Sequence, residues 1–507
     1  MKKYDVVIVG SGLGGLACGT ILAKEGHNVC ILEKNKQIGG NLQTYVRDRV
    51  IFDSGVHYVG GLSKGQNLYQ LFRYLGIMDK IKIRKMDEDV FDAIVFNGDP
   101  VVYKYAQGYD NFIRTLVKEF PDEESAIHNY CKIIREVCSK FPLYNLRMGG
   151  GLFEKMESLE IDTKTFIESI TSNKKLQHVL AGNNLLYAGA AYKTPLYVHA
   201  LILNSYIESS WRFIDGGSQI SKYLAKEITS RGGKILKHIK IVRLKEEEGQ
   251  LTYAETDKGE RFYGKLFISN VHPAQTLEMT DSTLIKKAFR NRIKGLENSI
   301  SVFYANVVMK KNSFLHLNHN YYYFEEQDPW SVLNYTRENW PAGFALFFTT
   351  SSKVSAYTEG VTIMAYMRFD EMKRWEHTVN TVSDEVSRGE DYEAFKKEKA
   401  ELLFDYVERK FPGFKSKIKS YTTATPLSAR DYIGNEDGSL YGLTKDFREP
   451  MRTLISPRTK IPNLFLTGQN INLHGVLGVT VSSILTCAQI LGMEYLISEI
   501  KNAQEDK

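Results

Sequence analysis

At 507 residues, with 43% hydrophobic and 25% charged content, the chain has room for two domains or one large interleaved one and the composition of a soluble globular protein. Its net charge of +6 is modest and dispersed, and no segment has the look of a nucleic-acid module, so no nucleic-acid partner is expected. The five cysteines, Cys18, Cys30, Cys131, Cys138 and Cys487, are odd in number and form no C-x-x-C, which excludes a disulfide framework and a zinc site from the reading and suits a reducing compartment.

Lys2 and Lys3, followed by apolar and small residues to Ala17, imitate a bacterial signal peptide. The same residues fit a strand and a glycine turn position by position, and that reading is preferred. Val6–Val9 is an unbroken apolar run, as a strand buried on both faces of a parallel sheet should be. Gly10, Gly12 and Gly15 follow with G-x-G-x-x-G spacing, with Ser11, Leu13 and Gly14 completing the turn. Gly10 permits the turn, Gly12 lets a pyrophosphate approach the backbone, and Gly15 lets the next helix lie close on the strand. That helix is predicted from about Leu13 to Glu25, its free amides and dipole facing the phosphates. A second strand over Asn28–Leu32 ends at Glu33, where a carboxylate accepts ribose hydroxyls and repels a 2′-phosphate. The bound nucleotide is expected to be ADP-like.

Lys34–Gln37 and the following Ile38, Gly39 and Gly40 resemble the extended fingerprint of the large FAD-binding class that holds glutathione reductase, amine oxidases and phytoene desaturases. The resemblance implies FAD rather than NAD, with the glycine pair bringing amides to the flavin side. Val50–Gly61, VIFDSGVHYVGG, resembles the retinol saturase and carotenoid isomerase branch of the phytoene desaturase family. By that resemblance Asp53 orders the local backbone, and Gly55, Val56 and His57 pass close to the flavin. His57, whose unperturbed pKa lies near working pH, is the candidate catalytic proton donor; the alternative is a histidine that packs the turn with a satisfied hydrogen bond.

From Asn67 to Ser210 the pattern is mainly helical, with amphipathic stretches at Asn67–Leu75, Asp122–Phe141 and Asp162–Leu180. Leu152–Tyr206, rich in Leu, Tyr, Phe and Ala, suits a cap over the active site that rests on a membrane, and equally an ordinary core. His199 aligns with a histidine of the retinol saturase pattern, which would place it along a substrate channel; an apolar helix favours a structural role. DGGS at Asp215–Ser218, the helix after it and the strand Lys234–Leu244 resemble the family's second flavin-domain unit, which implies that Ile241 meets the adenine edge through its backbone. KLFISNVHP, Lys265–Pro273, resembles the closing strand and crossover, with Asn270 beside the cofactor.

Strands are expected at Ser301–Met309, Tyr321–Glu325, Ala345–Thr350 and Val361–Arg368, the substrate-domain sheet of this superfamily, and a charged helical stretch at Asp384–Phe411. TATPLSARDYIGNEDGSLYG, ending at Gly442, resembles the loop that returns the chain to the flavin domain. In NLFLTGQNINLHGVLG, Asn463–Gly478, a short strand ends at Gly468, and Gly475, Val476 and Gly478 open the last helix, whose amides would face the flavin edge where negative charge collects on reduction. Gln469 stands where many flavoproteins carry an acid, and Asn41 where many desaturases and amine oxidases carry Arg. Both departures argue against a standard amine oxidase. Val476–Ile497 approaches the length of a membrane span, but its Gln and Glu favour a buried helix, and no transmembrane segment is expected.

The expected fold is α/β: a Rossmann-like FAD-binding domain of the glutathione reductase and amine oxidase class (1–75, 211–290 and 420–500), interleaved with a helical cap (76–210) and a mixed-sheet substrate domain (291–419). The expected activity is FAD-dependent oxidoreduction at carbon-carbon double bonds of a long apolar polyene or isoprenoid, as saturase or isomerase in preference to desaturase. With no second G-x-G-x-x-G, NAD(P)H would reduce the flavin by entering the substrate cavity transiently, or another carrier would supply the electrons. The alternatives are a non-catalytic prenyl-protein carrier of the GDP-dissociation-inhibitor type and a flavin amine oxidase. Placement is expected in the cytoplasm, with the cytoplasmic face of a membrane as a compatible surface.

Overall fold

In the computed structural model, which describes residues 2–149, 156, 158–353, 355–383 and 385–505, the strand Lys2–Val9 lies at the centre of a seven-stranded sheet. Val6, Val7 and Ile8 are fully enclosed, the burial on both faces that an unbroken apolar run predicts. On one side it pairs in parallel with Val29–Leu32, which pairs in turn with Lys234–Leu236. On the other side it pairs in parallel with Arg261–Ser269. That long strand has two further partners: its first half takes the antiparallel hairpin Ile241–Glu247 and Gln250–Thr256, and its last residues take Leu464–Leu466 in parallel. Val9, Leu32, Ser269 and Leu466 are in register, so four strands end level with one another. Gly10, Glu33, Asn270 and Thr467 leave them on a single edge, which is where ligands bind in open α/β sheets.

The helix Leu13–Lys24 is apolar all round and buried almost throughout, because it is sandwiched between Ser218–Ser230 and the terminal helix Gly475–Leu491. Small residues make this packing possible. A Cβ at Gly15 would stand 2.1 Å from the Gly10 carbonyl oxygen, and one at Gly19 would stand 2.9 Å from Ile31 Cδ1. Cys18 Sγ meets Thr467 Oγ1 at 3.5 Å, and the Ser483 hydroxyl donates to the Gly14 carbonyl at 3.3 Å, so the two ends of the chain are bound to each other. The apolar run Val476–Ile497 is two helices and not one. Gly492, at φ +92°, separates Gly475–Leu491 from Met493–Asn502. Among the described residues no helix is long and apolar enough to cross a membrane.

The second large sheet contains the four expected strands, found at Ser301–Met309, Asn320–Phe324, Gly343–Phe348 and Gly360–Met367. Its other three strands fall outside the expected segment. Ile418–Ala424 forms one edge, and Asp92–Phe96 and Tyr103–Tyr105 form the other. The reading of Asn67–Ser210 as mainly helical holds at its start, where Asn67–Tyr74 is a helix, but these strands, with Ile83–Lys85 in a small three-stranded sheet, correct it between Ile83 and Tyr105; the helices that cover the sheet begin at Tyr109. Three- to five-residue strands carry too few turns of any pattern to show a period. Glu124–Ser139, Thr163–Ile170, Lys174–Leu180 and Leu196–Glu208 complete the cap. Positions 152–155 and 157 of the aromatic-rich block Leu152–Tyr206, and Asp384 at the start of the charged stretch, lie outside the described residues. The charged helix itself, Glu390–Lys410, buries Leu403, Phe404 and Val407 against the second sheet and presents its remaining face to solvent.

Because the Gly15 Cα lies against the Gly10 carbonyl, Gly15→Ala must push the first helix off the first strand. Overpacking of this kind costs about 1–3 kcal/mol. Urea unfolding should show that loss with an unchanged m-value, and an unchanged midpoint would contradict the packing described.

Candidate functional site

The level ends of the four strands open into a cavity of about 590 Å³. Its walls come from Gly10–Gly14, Leu32–Asn35, Gly39–Leu42, Gly55–Val56, Ile239–Val242, Asn270–His272, Tyr432–Asn435 and Thr467–Asn470, and from the start of the terminal helix. Gly10, Ser11, Gly12, Leu13, Gly14, Glu33, Lys34, Gly39, Gly40, Asn41, Gly55, Val56, Ile241, Asn270, Gly468, Gln469, Gly475 and Val476 all line it. Gly15 and Gly478 do not. Gly15 is a packing residue, and a Cβ at Gly478 would lie 2.6 Å from the Leu473 carbonyl oxygen, so its place is against the preceding loop.

The cavity is kept open by glycines around one carboxamide. A Cβ added to Gly12, Gly14 or Gly468 would lie 2.7, 2.4 or 2.7 Å from the Asn270 side chain. No side chain caps the helices that start at Leu13 and Gly475, so their first amides are left for another acceptor. A Cβ on Gly475 would meet nothing within 4 Å, which leaves that helix start open to the cavity. At the other end Glu33 is 6% exposed and accepts from Ser11 N at 3.0 Å, Ser11 Oγ at 2.5 Å and Asn35 N at 2.8 Å. A carboxylate has about four lone-pair sites, so these bonds hold the carboxylate in place and leave one for a ribose hydroxyl, fewer than the two expected. Lys34, whose pKa burial lowers, donates to the Asp431 carbonyl at 3.2 Å.

A second cavity, of about 710 Å³, abuts the first. Gly55, Val56, Leu440, Tyr441, His474, Gly475 and Val476 line both, so one wall serves the two spaces. The remaining lining is apolar and aromatic, including Tyr197, Tyr206, Tyr304, Phe347, Leu201 and Met364. No Asp or Glu lines it among the described residues, and Arg147 is its one charged side chain.

His57 lies in the lining of this second cavity, stacked on Phe347 with centroids 4.3 Å apart and planes 8° from parallel. Burial, reinforced by the nearby Arg212 cation, pushes its pKa down to about 3. This corrects the premise that it titrates near working pH: the ring is a neutral imidazole, because desolvation opposes the charged form. Nor is it a histidine with a satisfied turn hydrogen bond, since Nε2 is enclosed without a protein partner. Asp53 does order the local backbone, accepting Gly217 N at 2.7 Å. His199 lines neither cavity. It is fully buried between Tyr130 and Tyr187, whose hydroxyls lie 2.5 and 2.9 Å from its two ring nitrogens.

Sequence reasoning passed over His474, which borders both cavities, lies 2.9 Å through Nε2 from the Leu186 carbonyl, and is held neutral by burial with a pKa near 4. It packs on Tyr441 at 4.4 Å, and the Tyr441 hydroxyl donates to the Leu185 carbonyl at 2.6 Å. The signal was present: His474 directly precedes Gly475, as the N-cap residue of a helix already expected at the cofactor.

Behind the apolar cavity lies a buried polar anchor. Asp92 accepts Tyr58 Oη at 2.7 Å and Asn320 Nδ2 at 2.9 Å, while Arg212 donates to Asn320 Oδ1 and to the carbonyls of Leu317, Phe348 and His319. Burial raises the pKa of Asp92, and likewise that of Asp53, to about 7.

Residues 8–75 match the family model of an NAD(P)-binding Rossmann-like domain. All-trans-retinol 13,14-reductase of Homo sapiens is 26% identical, the alignment covering 99% of this chain and 87% of the relative. Prolycopene isomerase 1, chloroplastic, of an Oncidium hybrid cultivar is 23% identical over 97% of this chain and 85% of the relative. Among solved structures, an oxidoreductase from Methanosarcina mazei superposes with TM-score 0.63 at 14% identity, covering 95% of this chain and 99% of the other. Cyclohexylamine oxidase from Brevibacterium oxydans gives 0.59 at 13% identity, covering 99% and 100%. A Rab GDI from Plasmodium falciparum gives 0.52 at 11%, covering 97% and 98%. At these identities the structural likenesses show the α/β Rossmann-like fold and no more. The two aligned relatives run through both sheets and both cavities.

Glu33→Arg replaces the buried carboxylate with a cation and removes the acceptor of three bonds. It should abolish retention of an adenine dinucleotide through gel filtration, and full retention would refute the ribose assignment. A second prediction concerns pH. The folded state holds protons on Asp92 and Asp53 up to about pH 7, whereas an unfolded aspartate releases its proton near 4. The folded form therefore binds more protons between these values, and stability falls as pH rises through that window, by on the order of a few kcal/mol. Denaturant midpoints should decline from pH 5 to pH 8, less steeply in Asp92→Asn, and a midpoint that rises over that range would contradict the burial of these carboxyls.

Proposed function

We propose that this chain, a relative of all-trans-retinol 13,14-reductases and prolycopene isomerases across nearly its whole length, is an FAD-dependent oxidoreductase acting on carbon-carbon double bonds of a long apolar polyene or isoprenoid. The observation that carries the reading is the shared wall. A dinucleotide laid from Glu33 toward Gln469 brings its far end to Gly55–Val56, Tyr441 and His474–Val476, and those same residues bound the apolar cavity. The residues suit FAD: the glycine cradle around Asn270 admits a pyrophosphate, Glu33 a ribose, and the uncapped start of the Gly475 helix a ring edge that becomes anionic. When bound, FAD supplies the hydride chemistry.

The chain's own residues do the rest. Tyr441 and His474, both fixed by hydrogen bonds to backbone carbonyls, position the reacting ends of two ligands against each other. The aromatic lining excludes water, and His57 presents a neutral imidazole able to donate an N–H without placing a charge in the cavity, whereas the single N–H of neutral His474 is committed through Nε2 to the Leu186 carbonyl. Saturation and isomerisation use the same arrangement, and the retinol reductase and prolycopene isomerase relatives favour these two over desaturation. A nicotinamide reductant would pass through the same apolar space. The lining, without an acidic side chain among the described residues, offers no carboxylate to pair with an ammonium, which favours an apolar ligand over an amine. The open cofactor cavity weighs against a carrier that works without redox turnover. Arg147 and the half-exposed Met148 and Met451 on the cavity's lining suit loading from a lipid surface, on the cytoplasmic side of a membrane.

Anaerobic reduction of the purified protein with NADH, NADPH or dithionite should bleach a flavin absorbance. Addition of extracted polyenes should then restore it with loss of a double bond in the recovered lipid if the reaction is saturation, or leave it bleached with geometric rearrangement of a double bond if the reaction is isomerisation, which has no net electron transfer. A protein that stays colourless after incubation with FAD would support the carrier, and peroxide formed with amines alone would support the amine oxidase.

A further inference from the structure

Beside His57 is a further, small space of about 20 Å³ whose walls include Asp53, His57, Arg212, Phe347, Phe348 and Thr350. Three buried polar atoms without a protein partner belong to its walls: His57 Nε2, Arg212 Nε and Thr350 Oγ1. A buried polar atom left unpaired is costly, so three around one space call for a ligand. The volume suits one water, which needs about 10–15 Å³ and two to four polar partners. Arg212 is too well held to turn away, with four acceptors on its two terminal nitrogens. Phe347 and Phe348 close the space on the apolar side.

We propose that this space holds one ordered water, and that the water connects Asp53 to His57 so that Asp53 serves as the proton reserve of the apolar cavity. The geometry gives each partner a role. Arg212 Nε–H donates to the water and cannot accept, and the Thr350 hydroxyl supplies a second bond of either sense. One water hydrogen is then free for His57 Nε2. Asp53, with one oxygen committed to Gly217 N, also lines the space. Asp53 shares the walls of the space with His57 and Arg212, and the Tyr45 phenol, on the paired strand of its own hairpin, is within electrostatic reach. Its pKa near 7, raised by burial, lets it hold a proton at neutral pH and release it without great cost.

This inference rests on the proposed double-bond chemistry for its last step and not for the water site. In a saturation, one substrate carbon receives hydride from the reduced cofactor and its neighbour receives a proton. The His57 Nδ1–H bond breaks as the new C–H bond forms, Nε2 takes a proton from the water, and the water takes one from the Asp53 carboxyl. His57 ends neutral with its tautomer exchanged, the water is regenerated and Asp53 is left as a carboxylate; once product leaves, Nδ1 takes a solvent proton on the cavity side and Nε2 returns its own through the water to Asp53, which restores the starting state. His57 is the catalytic residue, while Asp53, Arg212 and Thr350 are positioning residues behind it.

The site is tested first without substrate or turnover. A high-resolution crystal structure should show a single water within hydrogen-bonding distance of Arg212 Nε, Thr350 Oγ1 and His57 Nε2; a space filled by repacked side chains overturns the proposal. Infrared difference spectra should then show two protonated carboxyl bands lost near pH 7, that of Asp92, which persists in Asp53→Asn, and that of Asp53, which this variant removes while keeping the acceptor for Gly217 N. In Thr350→Val, of matching shape, the Asp53 band should shift in frequency and in titration midpoint by about one pH unit. An Asp53 band indifferent to Thr350→Val would mean that Asp53 only ties the backbone, and the relay is wrong. Where polyene turnover is observed, the wild-type rate should fall as pH rises through 7, and Asp53→Asn should be about a hundredfold slower and flat over that range. An unchanged profile in Asp53→Asn overturns the relay even with the water in place, whereas absence of polyene turnover together with the crystallographic and infrared results would overturn the substrate reading alone.

Discussion

Two distant pieces of chain converge on the Asn270 side chain, and the rest of the molecule depends on their doing so. Gly12 and Gly14 come from the opening turn and Gly468 from the end of the last strand, and each lies so close to the carboxamide that none has room for a Cβ. Backbone bonds fix the convergence from outside: Asn270 N donates to the Val9 carbonyl at 2.9 Å, and Thr467 N to the Ser269 carbonyl at 2.9 Å. A chain that closes on itself here sets two uncapped helix starts, Leu13 and Gly475, around one cavity. Any side chain in that position would fill the space in which a pyrophosphate can meet bare amides.

The second consequence is adjacency. The terminal helix begins at the cofactor cavity and continues along the apolar one, so residues such as Val476 belong to both. The segment Gly55–His57, just after the hairpin, does the same from the other side, Gly55 and Val56 bordering both spaces and His57 the apolar one. The chemistry is located by this contact between two spaces of different polarity, more than by any single side chain. Neutral imidazoles at the contact follow from the same burial that keeps water out.

Much of this was legible because it is local. A strand, a G-x-G-x-x-G turn, a helix and Glu33 lie within about thirty residues, and each step is enforced by sterics that sequence displays directly. The four expected strands of the second sheet were legible too, since they are rich in β-branched and aromatic residues. What escaped is non-local or short. Asp92–Phe96 carries a four-residue apolar run inside a region expected to be helical, and only its parallel partner Asn320–Phe324, far along the chain, makes it a strand. The bond between Asp92 and Asn320 has the same origin. His57 could be named from its motif, but its protonation state depends on Phe347 and Arg212, which no nearby residue announces.

The most direct measurement of the central claim, that cofactor and apolar ligand meet across one wall, is a spectral titration. FAD-loaded protein is titrated anaerobically with a conjugated polyene whose own absorption does not overlap the flavin bands. Contact through the wall of Tyr441, His474 and Val476 predicts a saturable shift of the flavin spectrum at one polyene per chain, lost when Val476→Trp obstructs the junction. Saturable polyene binding that leaves the flavin spectrum untouched would contradict the account.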